Sequence, residues 1–246
     1  MILYLTSSPT GSYRSDGPED YRGFNPANDM VKNLREDWVD HARCLIIAAD
    51  PDAYMQNDEM RFYFEKVLKE TGLDISGLDL CDGRNGVETA DRLSDYDMII
   101  LGGGHVPTQN AFFRKIGLME RMKEFHGIVM GISAGSMNCA EVVYAQPELP
   151  GESISDAYQR YIEGLGLTQC NVLPHYQAVK DDMLDGRRLM EDITYSDSVG
   201  HKFYTIPDGS YLLQKNGITE LHGEAYLIAE GQIRQICKEG EVLQIL

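Results

Sequence analysis

The sequence predicts an α/β fold with three layers, a mostly parallel sheet carrying helices on both faces, and three observations predict it. Continuous apolar runs too short to be helices, Cys44 to Ala49 and Met98 to Leu101, alternate with segments of helical spacing, the pattern of strands buried on both faces. A third run, Ile128-Val129-Met130, ends in Gly131-Ile132-Ser133-Ala134-Gly135, where a strand must turn sharply into a helix. Past residue 200 the pattern changes to short strands punctuated by Asp208-Gly209, Asn216-Gly217 and Glu230-Gly231, which predicts antiparallel hairpins that extend the sheet or cover one end of it.

Taken in order, Met1 to Thr6 is an apolar first strand. Ser7 to Asn28, rich in Gly, Pro, Ser and Asp, is a long loop that is either a lid or a mere excursion. A helix is expected over Met30 to Val39, capped by Asn28 or Asp29, and a second one after Asn57 or Asp58, with Met60, Phe64, Val67 and Leu68 on its apolar face and Gly72 at its end. A strand through Leu78 to Leu80 and a weak helix from Val87 to Leu93 lead to the strand Met98 to Leu101. Beyond the elbow, Asp156 to Glu163 has the look of a short helix ending at Gly164, and another helix follows Arg187-Arg188.

At 246 residues, with no linker, repeat or low-complexity tract, the chain is expected to form a single domain, 1–246. A net charge of −17, from 22 basic against 39 acidic side chains, excludes a phosphate-backbone partner, so no nucleic acid is expected. No basic leader or long apolar span is evident, which predicts no membrane partner. The five cysteines are scattered and lack a C-x-x-C pair; they are expected to be reduced core thiols of a cytoplasmic protein, with no metal and no cofactor.

The chemistry concentrates at Ser133. Glycines on both sides of a tight turn lift the serine out with its hydroxyl exposed, and the N–H of Ala134, opening the next helix, points into the same space as half of an oxyanion hole. Gly102-Gly103-Gly104-His105 follows the neighbouring strand. It lacks the Lys-Ser/Thr of a phosphate loop, and its N–H groups are better read as the second half of that hole. Acyl transfer also needs a base and an acid to orient it. His175, pinned behind Pro174 at a strand end, suits the base, and in chain order Glu148 supplies the acid, with Asp156 and Glu152 as alternatives that periodicity cannot separate.

Gly-Gly-Gly-x after a strand, Gly-x-Ser-Ala-Gly-Ser at the elbow, an acid-bearing proline loop beyond it and Pro174-His175-Tyr176 downstream together resemble the peptidase E (aspartyl dipeptidase) family of serine peptidases, which includes cyanophycinases. The resemblance runs from the first strand to the Arg187 region, and Asp208-Gly209-Ser210 resembles that family's C-terminal part. It implies a fold like that of class I glutamine amidotransferases, Ser133 as nucleophile, His175 as base, Glu148 as acid, and Gly104 and Ala134 as oxyanion-hole amides. It also implies a small peptide as substrate, a dipeptide with N-terminal Asp above all, whose carboxylate would meet Arg187, with Arg188 as its neighbour.

Two departures bear on substrate choice. His105, a candidate substrate-binding residue, stands where an asparagine usually follows the glycines, and the segment between elbow and His175 is longer than in peptidase E. Alternatives to the exopeptidase are a cyanophycin-type β-aspartyl peptidase, an esterase-like hydrolase with the same triad, and a binding protein that keeps the fold without the activity. A homodimer is the one further partner considered.

Overall fold

The computed structural model describes residues 1–11 and 23–246. Residues 12–22, half of the expected lid Ser7 to Asn28, therefore lie outside the described residues. Five parallel strands form one side of an eight-stranded sheet and run to its edge: β1 (Ile2–Thr6), β2 (Ala42–Ile47), β3 (Ile75–Cys81), β4 (Met98–Leu101) and β5 (Ile128–Ile132), in the order β1-β5-β4-β2-β3. Successive side chains along these strands enter opposite cores. Leu3, Leu5, Leu45, Ile47, Ile99, Leu101 and Val129 pack on one face, and Tyr4, Cys44, Ile46, Met98, Ile100 and Met130 on the other. That two-sided burial is why these strands are apolar without alternation.

The helices between them are α1 (Met30–Glu36), α2 (Tyr54–Glu70), α3 (Gly86–Ala90), α4 (Val106–Lys115), α5 (Leu118–Met122) and α6 (Ala134–Met137). Helix α1 stops three residues short of the expected Val39, and neither Asn28 nor Asp29 caps it by its side chain; both sit at positive φ. Helix α2 starts at Tyr54, before the expected Asn57 or Asp58; Asn57 lies within its first turn, its Nδ2 donating to the Asp50 carbonyl.

The segment expected to be a helix from Asp156 to Glu163 is instead turns leading into a strand. β6 (Val142–Tyr144) and β7 (Tyr161–Glu163) pair antiparallel, with the Tyr144 and Tyr161 rings 5.5 Å apart. Next come β8 (Asn171–Leu173), α7 (Tyr176–Val179), β9 (Met183–Leu184), β10 (Arg187–Arg188), a π-helical stretch Leu189–Thr194 and α8 (Tyr195–Asp197).

The C-terminal strands do both things expected of them. β12 (Tyr211–Lys215), β13 (Ile218–His222) and β16 (Val242–Gln244) continue the main sheet antiparallel beyond β1. β11 (Lys202–Thr205), β14 (Ala225–Ala229) and β15 (Gln232–Cys237) join β8 in a second, four-stranded sheet, ordered β15-β14-β11-β8. Asn216 and Gly217, at φ 53° and 79°, close the β12–β13 hairpin, and Glu230 and Gly231, at 50° and 75°, close β14–β15. Both are two-residue turns of the kind that needs positive φ at each position.

One consequence of this topology matters for function. β1, β5 and β4 are neighbours, β4 ending one residue before the other two, so Ser7 emerges beside Ser133 and the Gly102-Gly103 turn passes against it. In the second sheet β8 and β11 run parallel with Leu173 opposite Thr205, so the residues just beyond their ends, His175 and Asp208, emerge together as well.

Candidate active site

The elbow is built by close approach. A Cβ on Gly131 would sit 2.6 Å from Ser136 Cα, and one on Gly135 would sit 2.1 Å from the Leu101 carbonyl oxygen, so neither position has room for a side chain. Ser133 itself is held at φ 51°, ψ −113°, a backbone region that L-residues rarely occupy and that costs about 1–3 kcal/mol. Its N–H is secured by the carbonyls of Thr6 (3.0 Å) and Ser7 (3.1 Å) at the end of β1.

Behind the glycine loop a buried amide network sets the backbone. Gln109 Nε2 donates to the Gly102 carbonyl (2.7 Å), and Asn138 Nδ2 donates to Gln109 Oε1 (3.0 Å) and the Val106 carbonyl (3.2 Å). Gly104 passes so close to Ala49 that a Cβ there would meet the alanine methyl at 2.6 Å. Gly104 and Ala134 both line a cleft of about 220 Å³ with Ser133 and His175, and no described residue accepts either of their N–H groups. The two amides are thus available to a ligand oxygen.

His175, too, is held in the left-handed region, at φ 58°, ψ 32°. Its Nδ1 lies 2.8 Å from Asp208 Oδ1, and its Nε2 bonds to no described residue. Burial works to raise the Asp208 carboxyl, but hydrogen bonds from His175 and Ser7 outweigh it and hold the group below its ordinary range. A carboxylate on Nδ1 keeps the ring proton there and leaves Nε2 as the basic nitrogen.

The carboxylate beside His175 is therefore Asp208, not Glu148. Glu148 is exposed on the rim of the same cleft, and no described contact joins it to His175. The reason lies in how its loop is tied down. Glu152 Oε2 accepts the N–H groups of Glu148 (2.8 Å) and Leu149 (2.9 Å), while its Oε1 meets His105 Nε2 at 2.8 Å. Asp185 holds the same loop from the other side through the Gly151 N–H and the Ser153 hydroxyl.

Glu152 is thus a loop clasp, and His105, bonded also to Thr108 Oγ1, is its anchor rather than a wall of the cleft. Burial tends to raise the Glu152 carboxyl, but these N–H donors and His105 bring it down. Asp156 is exposed. Arg187 lies outside the cleft lining, its guanidinium donating to the Asp192 carbonyl at 2.7 Å, and Arg188 pairs with the Asp192 carboxylate. Two residues of the site escape sequence reasoning. Asp208 is hidden in a Pro-Asp-Gly turn, its only signal being its likeness to the family's C-terminal part, and Ser7 has no signal beyond its place after the first strand.

The profile of peptidase family S51 matches residues 23–221. The chain belongs to peptidase family S51. It is accordingly a serine-type peptidase of the peptidase E kind. Among solved structures it is similar to a peptidase from an acI-B1 Actinobacterium, at 18% identity and TM-score 0.68, covering 99% of this chain and 96% of that one. It is also similar to a putative peptidase E protein from Listeria monocytogenes EGD-e, at 16% identity and TM-score 0.53, covering 96% and 98%. At such identities these likenesses speak for the fold alone. No curated protein matches the chain at comparable significance. No helix among the described residues is long and apolar enough to cross a membrane.

Proposed function

We propose that the protein is a serine exopeptidase acting on short peptides through an acyl-enzyme. Ser133 Oγ attacks the scissile carbonyl while Nε2 of His175 takes its proton and returns it to the leaving amine. Asp208 orients the imidazole and stabilises its charged form, the Gly104 and Ala134 N–H groups receive the oxyanion, and water then releases the acyl group. The observation that carries this reading is the shared cleft: nucleophile, base and two amides accepted by no described residue line it together, with a carboxylate behind the base. Its small volume, about 220 Å³, favours short substrates. Five unpaired, buried thiols favour a reducing compartment such as the cytoplasm.

For the side chain on the acyl side, the resemblance to peptidase E favours N-terminal Asp, met by Arg187 after it leaves the Asp192 carbonyl. A second reading has its own support. Among the described residues lining the cleft are the carboxylates Glu148 and Asp182 and no lysine or arginine, which favours a cationic side chain. A panel of Asp-X, iso-Asp-X, Lys-X and Ala-X dipeptides and nitrophenyl esters separates these possibilities. In every case Ser133→Ala is expected to lower turnover by roughly 10⁴-fold or more and to abolish labelling by a fluorophosphonate. Unchanged turnover in that variant would refute the assignment, and failure of the wild-type enzyme to label would favour a non-catalytic binding protein.

A further inference from the structure

We propose that Ser7 is a positioning residue of the acyl-transfer site, locking the base, its carboxylate and the nucleophile's backbone into one hydrogen-bonded unit. The proposal rests on the reading of Ser133, His175 and Asp208 given above.

Ser7 follows the last residue of β1 and is completely buried. Its carbonyl accepts the Ser133 N–H at 3.1 Å. Its hydroxyl oxygen accepts the His175 N–H at 2.7 Å, lies 2.5 Å from Asp208 Oδ1 and stands 3.2 Å from His175 Nδ1. One residue thus touches three groups that lie as far as 201 positions away in the chain.

The proton inventory decides what this arrangement does. A hydroxyl has one proton and two lone pairs, and a carboxylate can only accept. At 2.5 Å from Oδ1 the Ser7 proton must point at Asp208, since a lone pair there would face a charged oxygen. One lone pair is filled by the His175 N–H. The other faces Nδ1, which is compatible only with a proton on Nδ1, shared between Asp208 Oδ1 and Ser7 Oγ. The tautomer with Nε2 open to the cleft is therefore specified by two acceptors, not one. The bond from the His175 N–H does further work: it holds the main chain of a residue kept at φ 58°, a conformation that depends on its surroundings.

A buried hydroxyl with satisfied partners can also be mere packing, so the test must read the imidazole. Its measurements are the second-order rate of Ser133 labelling by a fluorophosphonate and the low-field proton resonance of His175 Nδ1–H. Ser7→Ala is expected to slow labelling by roughly 10- to 100-fold, the range typical when a group that orients another is lost, and to shift the resonance or broaden it away. Ser7→Cys keeps a side chain of the same length in bonds, but with a larger and weakly donating sulfur, and is expected to lose about tenfold.

In an Asp208→Asn background, Ser7→Ala is expected to add less than about twofold, because the two residues act through one imidazole. Labelling within twofold of wild type in both Ser7 variants, with the resonance unmoved, would overturn the proposal. So would a full, additive loss on top of Asp208→Asn, which would mark Ser7 as structural only. If Ser7→Ala fails to fold, Ser7→Cys decides, alone and in the Asp208→Asn background, with the same outcomes. If the wild-type protein is not labelled at all, the peptidase reading fails, while the resonance in wild type and Ser7→Cys still tests whether Ser7 holds the imidazole.

Discussion

The two halves of the candidate site are built in different ways. The nucleophile side, Gly102 to Gly104 and Gly131 to Gly135, consists of two tight turns at the ends of adjacent parallel strands. Its geometry follows from contacts within those turns and their immediate neighbours. The base side joins His175 to Asp208, 33 residues later and beyond a different strand, through a hydroxyl from the opposite end of the chain. The nucleophile side needs small residues and a strand-to-helix bend, whereas the base side needs two sheets to end at the same place. A side chain added at a glycine of the first half should therefore strain or unfold locally, and a change on the second should leave the fold and lose the chemistry.

The largest expected effect tests the base side. Asp208→Asn keeps the shape but presents an amide where the ring needs an acceptor, and is expected to lower acylation of Ser133 on the order of 10³- to 10⁴-fold with the fold intact by circular dichroism. Glu148→Gln should change labelling by a small neutral fluorophosphonate less than about threefold, because no described contact ties it to the base. If the two variants exchanged these outcomes, Glu148 would be restored as the acid of the triad.

The nucleophile side responds in stability. Gly135→Ala puts a methyl 2.1 Å from the Leu101 carbonyl and should cost about 1–3 kcal/mol or more in urea unfolding as the β4 end gives way. An unchanged midpoint would show that this turn is looser than its contacts indicate.

The smallest effect sharpens the account of Asp208. Its carboxyl titrates lower when folded than when unfolded, so its contribution to stability is fully present above the unfolded value of about 3.9 and is lost as pH falls through the lower, folded one. The stability difference between wild type and Asp208→Asn should shrink as pH falls below about 4. A difference that grows in acid would contradict the hydrogen-bonded carboxylate.

Ser133, the glycines around it and His175 were legible in the sequence because each carries a local signature: a turn that excludes side chains, or a histidine behind a proline at a strand end. The acid was not. Glu148 lies between its expected partners in chain order, and the resemblance to peptidase E favoured it over Glu152 and Asp156, yet its loop is held to His105 and Asp185 by bonds that no spacing reveals. Asp208 sits in a turn whose local purpose is complete without catalysis. The helix expected near Asp156 was lost in the same way, since pairing of Tyr161 with Tyr144 outweighed a helical pattern only two turns long.

What the sequence alone determined is the buried strands of the parallel sheet, the C-terminal hairpins, the elbow and its hydroxyl, since steric exclusion and hydrophobic period act over a few neighbouring residues. Only the tertiary structure decided which carboxylate faces the imidazole and that Ser7 stands between them. Hydrogen bonds between residues from distant strand ends exist only once the two sheets have set those ends side by side.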